Sequence, residues 1–236
     1  MKKFVKTLFL PLVLSCVWIA SCGSGSKDKP VTPDPPSSDR IKSVLIFGNS
    51  IVENGPTSDW DGDHWGMAAS CRDSDFVHVL ISTIHKIDKN VNVQWANIAG
   101  FETGYKTFTN FESLVQYRNP DLLIIKIAEN VPSTGFDSAL FTEKFDQLLN
   151  YIAPDAIKII VEGFWPWPEA ANQAIKAYAE EQGLAYVPLA DLYTDDPTNA
   201  AFGLFAHNGV AMHPSDKGMR NIAKRIWGAI SKYFVG

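Results

Sequence analysis

The chain is poor in cysteine, has no long apolar run beyond its N-terminus, and carries no excess of positive charge. It has three cysteines in 236 residues. Cys16 and Cys22 fall in or at the end of the N-terminal apolar run, so Cys71 stands alone in the remainder and an internal disulfide there is excluded. Arg72 is the only neighbour in sequence that could activate Cys71, and a buried, inert thiol is the expected role. Lys and Arg number 21 against 26 Asp and Glu, a net charge of -5, which gives no support for nucleic-acid binding. The run from Leu8 to Ala20 is shorter than the roughly 20 residues of a membrane-spanning helix, and no later stretch is longer. No internal repeat is visible. Asp61, Asp63 and His64 lie close together, but their spacing matches no metal-ligand pattern, so no metal is expected.

The N-terminus reads as an address. Lys2, Lys3 and Lys6 precede the apolar run, as in a secretory signal. The run ends Ile19-Ala20-Ser21-Cys22, which resembles a bacterial lipobox and implies Cys22 as the lipidated first residue of the mature protein. Cys16, after Leu14-Ser15, is a weaker alternative because it sits inside the run. Residues 23–39 are rich in Ser, Pro, Asp and Lys without apolar periodicity, the composition of a tether. The expected organisation is therefore a signal and lipobox over 1–22, a tether over 23–39 and one domain over 40–236. The expected location is extracytoplasmic, in the periplasm or at the cell surface, with the lipid as the only membrane attachment.

What is present is an alternation of strands and helices. Val44-Leu45-Ile46-Phe47 runs straight into Gly48-Asn49-Ser50, a buried strand ended by a turn. Strands are expected over 91–98, 121–128, 156–163 and 184–189. Helices are expected from Asp73-Ser74-Asp75 to about Lys86, over 138–152, 169–182 and 215–234, with a short one over 108–117. Residues 54–70 read as an irregular insert. Such alternation implies a parallel sheet with right-handed crossovers. The expected fold is α/β, a three-layer flavodoxin-like domain with a five-stranded parallel sheet.

In that fold the carboxyl ends of the strands share one rim, where ligands bind. The rim would receive Ser50, then Asn97 and Gly100, then Glu129 and Asn130, then Glu162 and Phe164-Trp165-Pro166-Trp167. The loop before the last helix adds His207, Asn208 and His213. A hydroxyl, an imidazole and amide donors on one rim suit acyl transfer through a covalent serine intermediate.

The blocks resemble, in order, those of the SGNH or GDSL hydrolases, and the resemblance spans the whole domain. Gly48-Asn49-Ser50 stands where that family has Gly-Asp-Ser and implies Ser50 as nucleophile. Asn97-Ile98-Ala99-Gly100 implies Gly100 as a backbone oxyanion donor, and Ala128-Glu129-Asn130 implies Asn130 as a side-chain donor. His213-Pro214, followed by Gly218, implies His213 as general base. The insert with Trp65-Gly66-Met67-Ala68-Ala69-Ser70 resembles secreted carbohydrate esterases. Trp65, Trp165 and Trp167 are expected to contact a sugar, and Glu102 and Glu129 to lie beside the substrate. The implied activity is ester hydrolysis on an O-acylated carbohydrate, an acetyl ester in the simplest case, with no cofactor.

Four departures from the pattern matter: Asn49 for Asp, Ala128 for Gly, Val131 for Asp, and Val210 where the family has the Asp that orients its His. Val cannot orient an imidazole. Glu102, Glu129, Glu162, Asp216 or a backbone carbonyl could take that part. If none does, a glycan-binding lipoprotein with weak or lost catalysis becomes the alternative. A lipid or lysophospholipid esterase is a further one.

Overall fold

The computed structural model describes residues 41–235. The expected signal, Cys22 and the tether lie outside the described residues. Five strands form one sheet: β1 (Ser43–Gly48), β2 (Asn92–Asn97), β3 (Leu122–Lys126), β4 (Ile157–Val161) and β5 (Ala185–Val187). Their order is β2-β1-β3-β4-β5 and every pairing is parallel. From β1 the chain moves out to β2 and then returns past β1 to β3. That reversal opens a crevice between the carboxyl ends of β1 and β3.

Among the described residues seven α-helices accompany the strands: α1 (Phe76–His85), α2 (Ala99–Gly104), α3 (Ser138–Ile152), α4 (Glu169–Glu181), α5 (Ala190–Asp195), α6 (Asn208–Ala211) and α7 (Asp216–Ile230). The period-2 alternation of the strands sends side chains to both faces. Val44, Ile46, Leu122, Ile124, Ile159 and Val161 pack under Phe76, Leu80 and Ile84 of α1 and Met219, Ile222 and Ile226 of α7. Leu45, Phe47, Leu123, Ile125 and Ile160 pack under Phe141, Phe145 and Leu148 of α3 and Ile175 of α4. This is the expected three-layer α/β domain. Asp75 caps α1 by accepting from the His78 N–H at 2.7 Å, and Ser215 caps α7 by accepting from the Gly218 N–H. No helix among the described residues is long and apolar enough to cross a membrane.

Two local expectations change. The segment read as a short helix over 108–117 is a 3-10 helix over Phe111–Tyr117. Phe111, Leu114 and Tyr117, spaced by three, all pack on the α3-side core, and three residues per turn sets such a spacing directly in line. Cys71 is exposed rather than buried. It sits at the start of a 3-10 turn over Arg72–Ser74, with its Sγ 3.4 Å from Ser74 Oγ.

The insert over 54–70 is folded back by bridges between Asn54 and Trp65 and between Thr57 and Trp60. Trp60, Met67 and Ala68 close a third apolar cluster with Ala201 and Val210. Trp60 meets Trp65 edge-on, with ring centroids 5.7 Å apart. The insert thereby packs against Val210 of α6.

Candidate active site

Ser50 stands in the turn just past β1. A side chain at Gly48 would collide with Val52 Cγ2 and the Lys126 carbonyl, so only glycine lets β1 turn this close to β3. The Asn49 carbonyl accepts from the Val52 and Glu53 amides at 2.9 and 3.0 Å, and the Ser50 carbonyl accepts from the Met67 amide at 2.8 Å. The hydroxyl is half-buried and lies 2.8 Å from His213 Nε2.

His213 arrives from the loop between α6 and α7. Its Nδ1 lies 2.7 Å from the Gly209 carbonyl. A carbonyl can only accept, so Nδ1 carries the proton and Nε2 is left to accept from Ser50 Oγ. Gly209 is in α6, and its carbonyl takes the position that the departure at Val210 left open. The Val210 side chain turns away into the Trp60 cluster and is buried. Glu102, Glu129, Glu162 and Asp216 make no contact with the ring among the described hydrogen bonds. Glu162 accepts from the Leu189 and Ala190 amides at 2.7 and 2.9 Å, and Asp216 accepts from the Ser70 amide and hydroxyl at 2.8 and 2.6 Å. Burial pushes the imidazole down to about 4, against the Gly209 carbonyl and the Glu129 charge. The ring is therefore neutral, and able to accept a proton, across the ordinary pH range.

Behind Ser50 lies a buried polar network that includes Glu102 and Glu129, the two acids expected beside the substrate. Glu102 and Glu129 are buried, as are Asn49 and Lys126. Neither Glu faces solvent as a substrate contact would, because buried donors already engage both. Lys126 pairs with Glu129 Oε1, which also accepts from the Phe164 amide at 2.7 Å. Asn49 Nδ2 donates to Glu129 Oε2 at 2.8 Å and to Glu102 Oε2 at 3.1 Å. Glu102 further accepts from the Ala128 amide at 2.7 Å, the Asn130 amide at 3.3 Å and Asn130 Nδ2 at 2.9 Å. Burial, with the Glu129 charge beside it, pushes the Glu102 carboxyl up to about 7, against the pull of those donors. Burial would raise Glu129 as well, but the Lys126 ammonium and the Phe164 and Asn49 donors outweigh it and hold that carboxyl below its usual range.

Ala128, where the family pattern has Gly, has φ 124°. L-residues rarely adopt that conformation, at a cost of about 1–3 kcal/mol, and the bond from its amide to Glu102 helps to hold it. Asn130 uses one amide hydrogen on Glu102, and the second makes no bond among the described hydrogen bonds. Gly100 is exposed in the first turn of α2, with open space where a Cβ would stand. First-turn amides have no acceptor within their own helix.

Aromatic side chains flank the pair. Trp165 meets His213 edge-on at 5.2 Å and donates from Nε1 to the Met212 carbonyl at 2.9 Å. Trp167, 43% exposed, stacks on Trp165 at 6.1 Å and leads on to Tyr193 and the exposed Phe202. Trp65, expected beside the substrate, is half-buried, packs against two core clusters and donates to the Ala69 carbonyl at 3.3 Å.

Sequence reasoning missed Lys126 and, although it admitted a backbone carbonyl as the partner of His213, could not say which one. Lys126 had a signal: one cation ending the apolar run Leu-Leu-Ile-Ile, with an acid three residues on. The Gly209 carbonyl had none, because a main-chain acceptor leaves no mark on residue identity.

No protein-family profile and no curated protein matches the chain. Solved structures do. One is a lipolytic protein of the G-D-S-L family from Veillonella parvula: 15% identity, TM-score 0.52, covering 80% of this chain and 98% of that one. Another is the psychrotrophic esterase EstA from Pseudoalteromonas: 14% identity, TM-score 0.55, covering 83% and 100%. A third is the acetyl xylan esterase AlAXEase: 18% identity, TM-score 0.55, covering 80% and 99%. The fold is that of the SGNH, or G-D-S-L, hydrolases.

Proposed function

We propose that this chain, built on the SGNH hydrolase fold, is a serine esterase that removes acyl groups, acetyl in the simplest case, from an O-acylated carbohydrate. The observation that carries the reading is Ser50 Oγ at 2.8 Å from His213 Nε2 while Nδ1 is held by the Gly209 carbonyl. In the first half-reaction Nε2 takes the hydroxyl proton as Oγ attacks the ester carbonyl carbon. The carbonyl oxygen becomes negative, and the Ser50 and Gly100 amides and the second Asn130 amide hydrogen are the donors for it. Collapse expels the sugar alkoxide, which takes the proton from His213. Water then attacks acyl-Ser50 with His213 again as base, releasing the carboxylic acid and restoring the serine.

Two further features support a carbohydrate. Flat indoles suit the apolar face of a sugar ring, and Trp167 is exposed beside the catalytic pair. Similar folds include an acetyl xylan esterase. The sequence pattern at Cys22 supports an extracytoplasmic lipoprotein, held to a membrane by its lipid alone.

A second reading draws on one observation: His213 has a neutral acceptor where a carboxylate would stabilise the imidazolium. A glycan-binding protein with residual catalysis would fit that. Turnover of p-nitrophenyl acetate separates the two. The esterase reading expects steady turnover that Ser50→Ala abolishes, and turnover at the solution background in both proteins would overturn it.

A further inference from the structure

The mechanism above uses Ser50, His213, Gly100 and Asn130, and leaves a buried carboxylate without a part. Glu102 lies two residues beyond Gly100 in α2. Its two oxygens accept from Asn49, the neighbour of Ser50, from the strained backbone of Ala128, and from both the amide and the side chain of Asn130. The three segments that would supply the oxyanion donors therefore meet on one side chain. All its partners are N–H donors, so the arrangement is complementary to an ionised carboxylate and to no neutral side chain of the same shape.

We infer that Glu102 is the positioning residue of the oxyanion site: it fixes the Asn130 amide, and the backbones beside Ser50 and Gly100, in the geometry that the developing negative oxygen requires. The inference rests on the esterase reading and deepens it, assigning the buried acid to the donors rather than to the imidazole. Among the described hydrogen bonds Glu102 has none to Ser50 or His213, so it acts through Asn130 and is not itself a catalytic residue. The charged group that acts on it is Glu129, in the turn after β3, which in turn pairs with Lys126 at the end of β3. Asn49 and Asn130 are its neutral partners. His213, from the α6–α7 loop, lies within the field of Glu129 and Lys126.

Ionisation gives the inference a pH signature. With the carboxyl raised to about 7, acid below that pH adds a proton to an oxygen that N–H groups already face, and one of those donors must let go. Turnover should therefore rise with pH through about 7. That is well above the limb expected from His213, whose imidazole is pushed down to about 4.

The test is Glu102→Gln in the full chain, assayed with p-nitrophenyl acetate beside wild type and Ser50→Ala. The Gln amide nitrogen must replace one of the two accepting oxygens, setting donor against donor at unchanged size. The expected result is a fall in kcat of about 10²-fold, the scale of losing one oxyanion donor, with KM little changed and the limb near neutral pH gone. In an Asn130→Ala background the same substitution should add little, because both remove one interaction. Glu102→Asp, which keeps the charge, should recover part of kcat. A Glu102→Gln enzyme with wild-type kcat and pH profile overturns the inference, as do losses that add in full. Should Glu102→Gln fail to fold, Glu102→Asp decides: reduced kcat at unchanged KM supports the inference, and wild-type kcat overturns it. Wild-type turnover that Ser50→Ala does not affect would instead overturn the esterase reading, and this inference with it.

Discussion

Placing Asp at position 210 restores the residue type that the family uses to orient its His, and the structure states what it should do. Val210 is 3% exposed and packs with Trp60, Met67, Ala68 and Ala201. Val210→Asp removes a buried apolar side chain worth about 1.5–3 kcal/mol. It also puts a carboxylate where no donor waits, which adds about 1–3 kcal/mol for a polar group left unpaired. The sum, about 2.5–6 kcal/mol, corresponds to a fall in Tm of roughly 5–24 °C for a domain of this size. Against that loss stands little catalytic gain. The Asp of a triad selects the tautomer, orients the ring and stabilises its charge, and the Gly209 carbonyl at 2.7 Å already performs the first two. The expected outcome is a less stable enzyme whose kcat on p-nitrophenyl acetate is unchanged or lower. Thermal unfolding by circular dichroism and steady-state release of p-nitrophenolate measure both, with Ser50→Ala as background. A gain of an order of magnitude in kcat with Tm unchanged would refute the reasoning: it would mean that the carbonyl does not hold the ring in solution and that position 210 opens towards it.

The other predictions are shorter. Asn130→Ala should lower kcat by about 10²–10³-fold with the fold intact; an effect confined to KM, read from saturation curves, would make Asn130 a binding residue. Trp167→Ala should weaken hydrolysis of an acetylated oligosaccharide more than of p-nitrophenyl acetate, since the small ester never used that binding energy. Equal losses on both substrates would remove Trp167 from the binding surface. Trp165→Ala should impair both substrates, because Trp165 also braces His213 and the Met212 backbone. Cys22→Ser should move the protein out of the membrane fraction or stall its processing, and unchanged fractionation with unchanged processing on an immunoblot would rule out lipidation there.

Regular elements were legible because their patterns are long. Leu122–Lys126 is a nearly unbroken apolar run, and α3 carries Phe141, Phe145, Leu148 and Leu149 at helical spacing. The helices that were not anticipated, α2, α5 and α6, have four to six residues, too few for a periodicity to show. The rim was legible for a related reason. A strand end fixes where the next residue goes, so Ser50 and Asn130 could be assigned to one edge, and they lie there. Burial depth was not legible. Glu102 looks like a surface residue of a polar stretch, and only the fold reveals that Asn49, Ala128 and Asn130 surround it with donors. Trp65 shows the same limit: an indole in an irregular insert reads as an exposed ring, yet the insert folds back and half-buries it.

The partner of His213 is a peptide carbonyl, and this sets what genetics can see at the site. No side-chain replacement deletes a main-chain oxygen, so an alanine scan across 207–212 would pass over the group that holds the imidazole and report a two-residue machine. Variation at position 209 would not remove it either, since a side chain there meets only the ring of the exposed His207, which can swing aside and leave the α6 carbonyl in place. Nor does an amide carbonyl titrate. An acid in that place would add its own proton-binding step at low pH, whereas this acceptor behaves identically from acid to base, leaving the site no switch at that end of the imidazole.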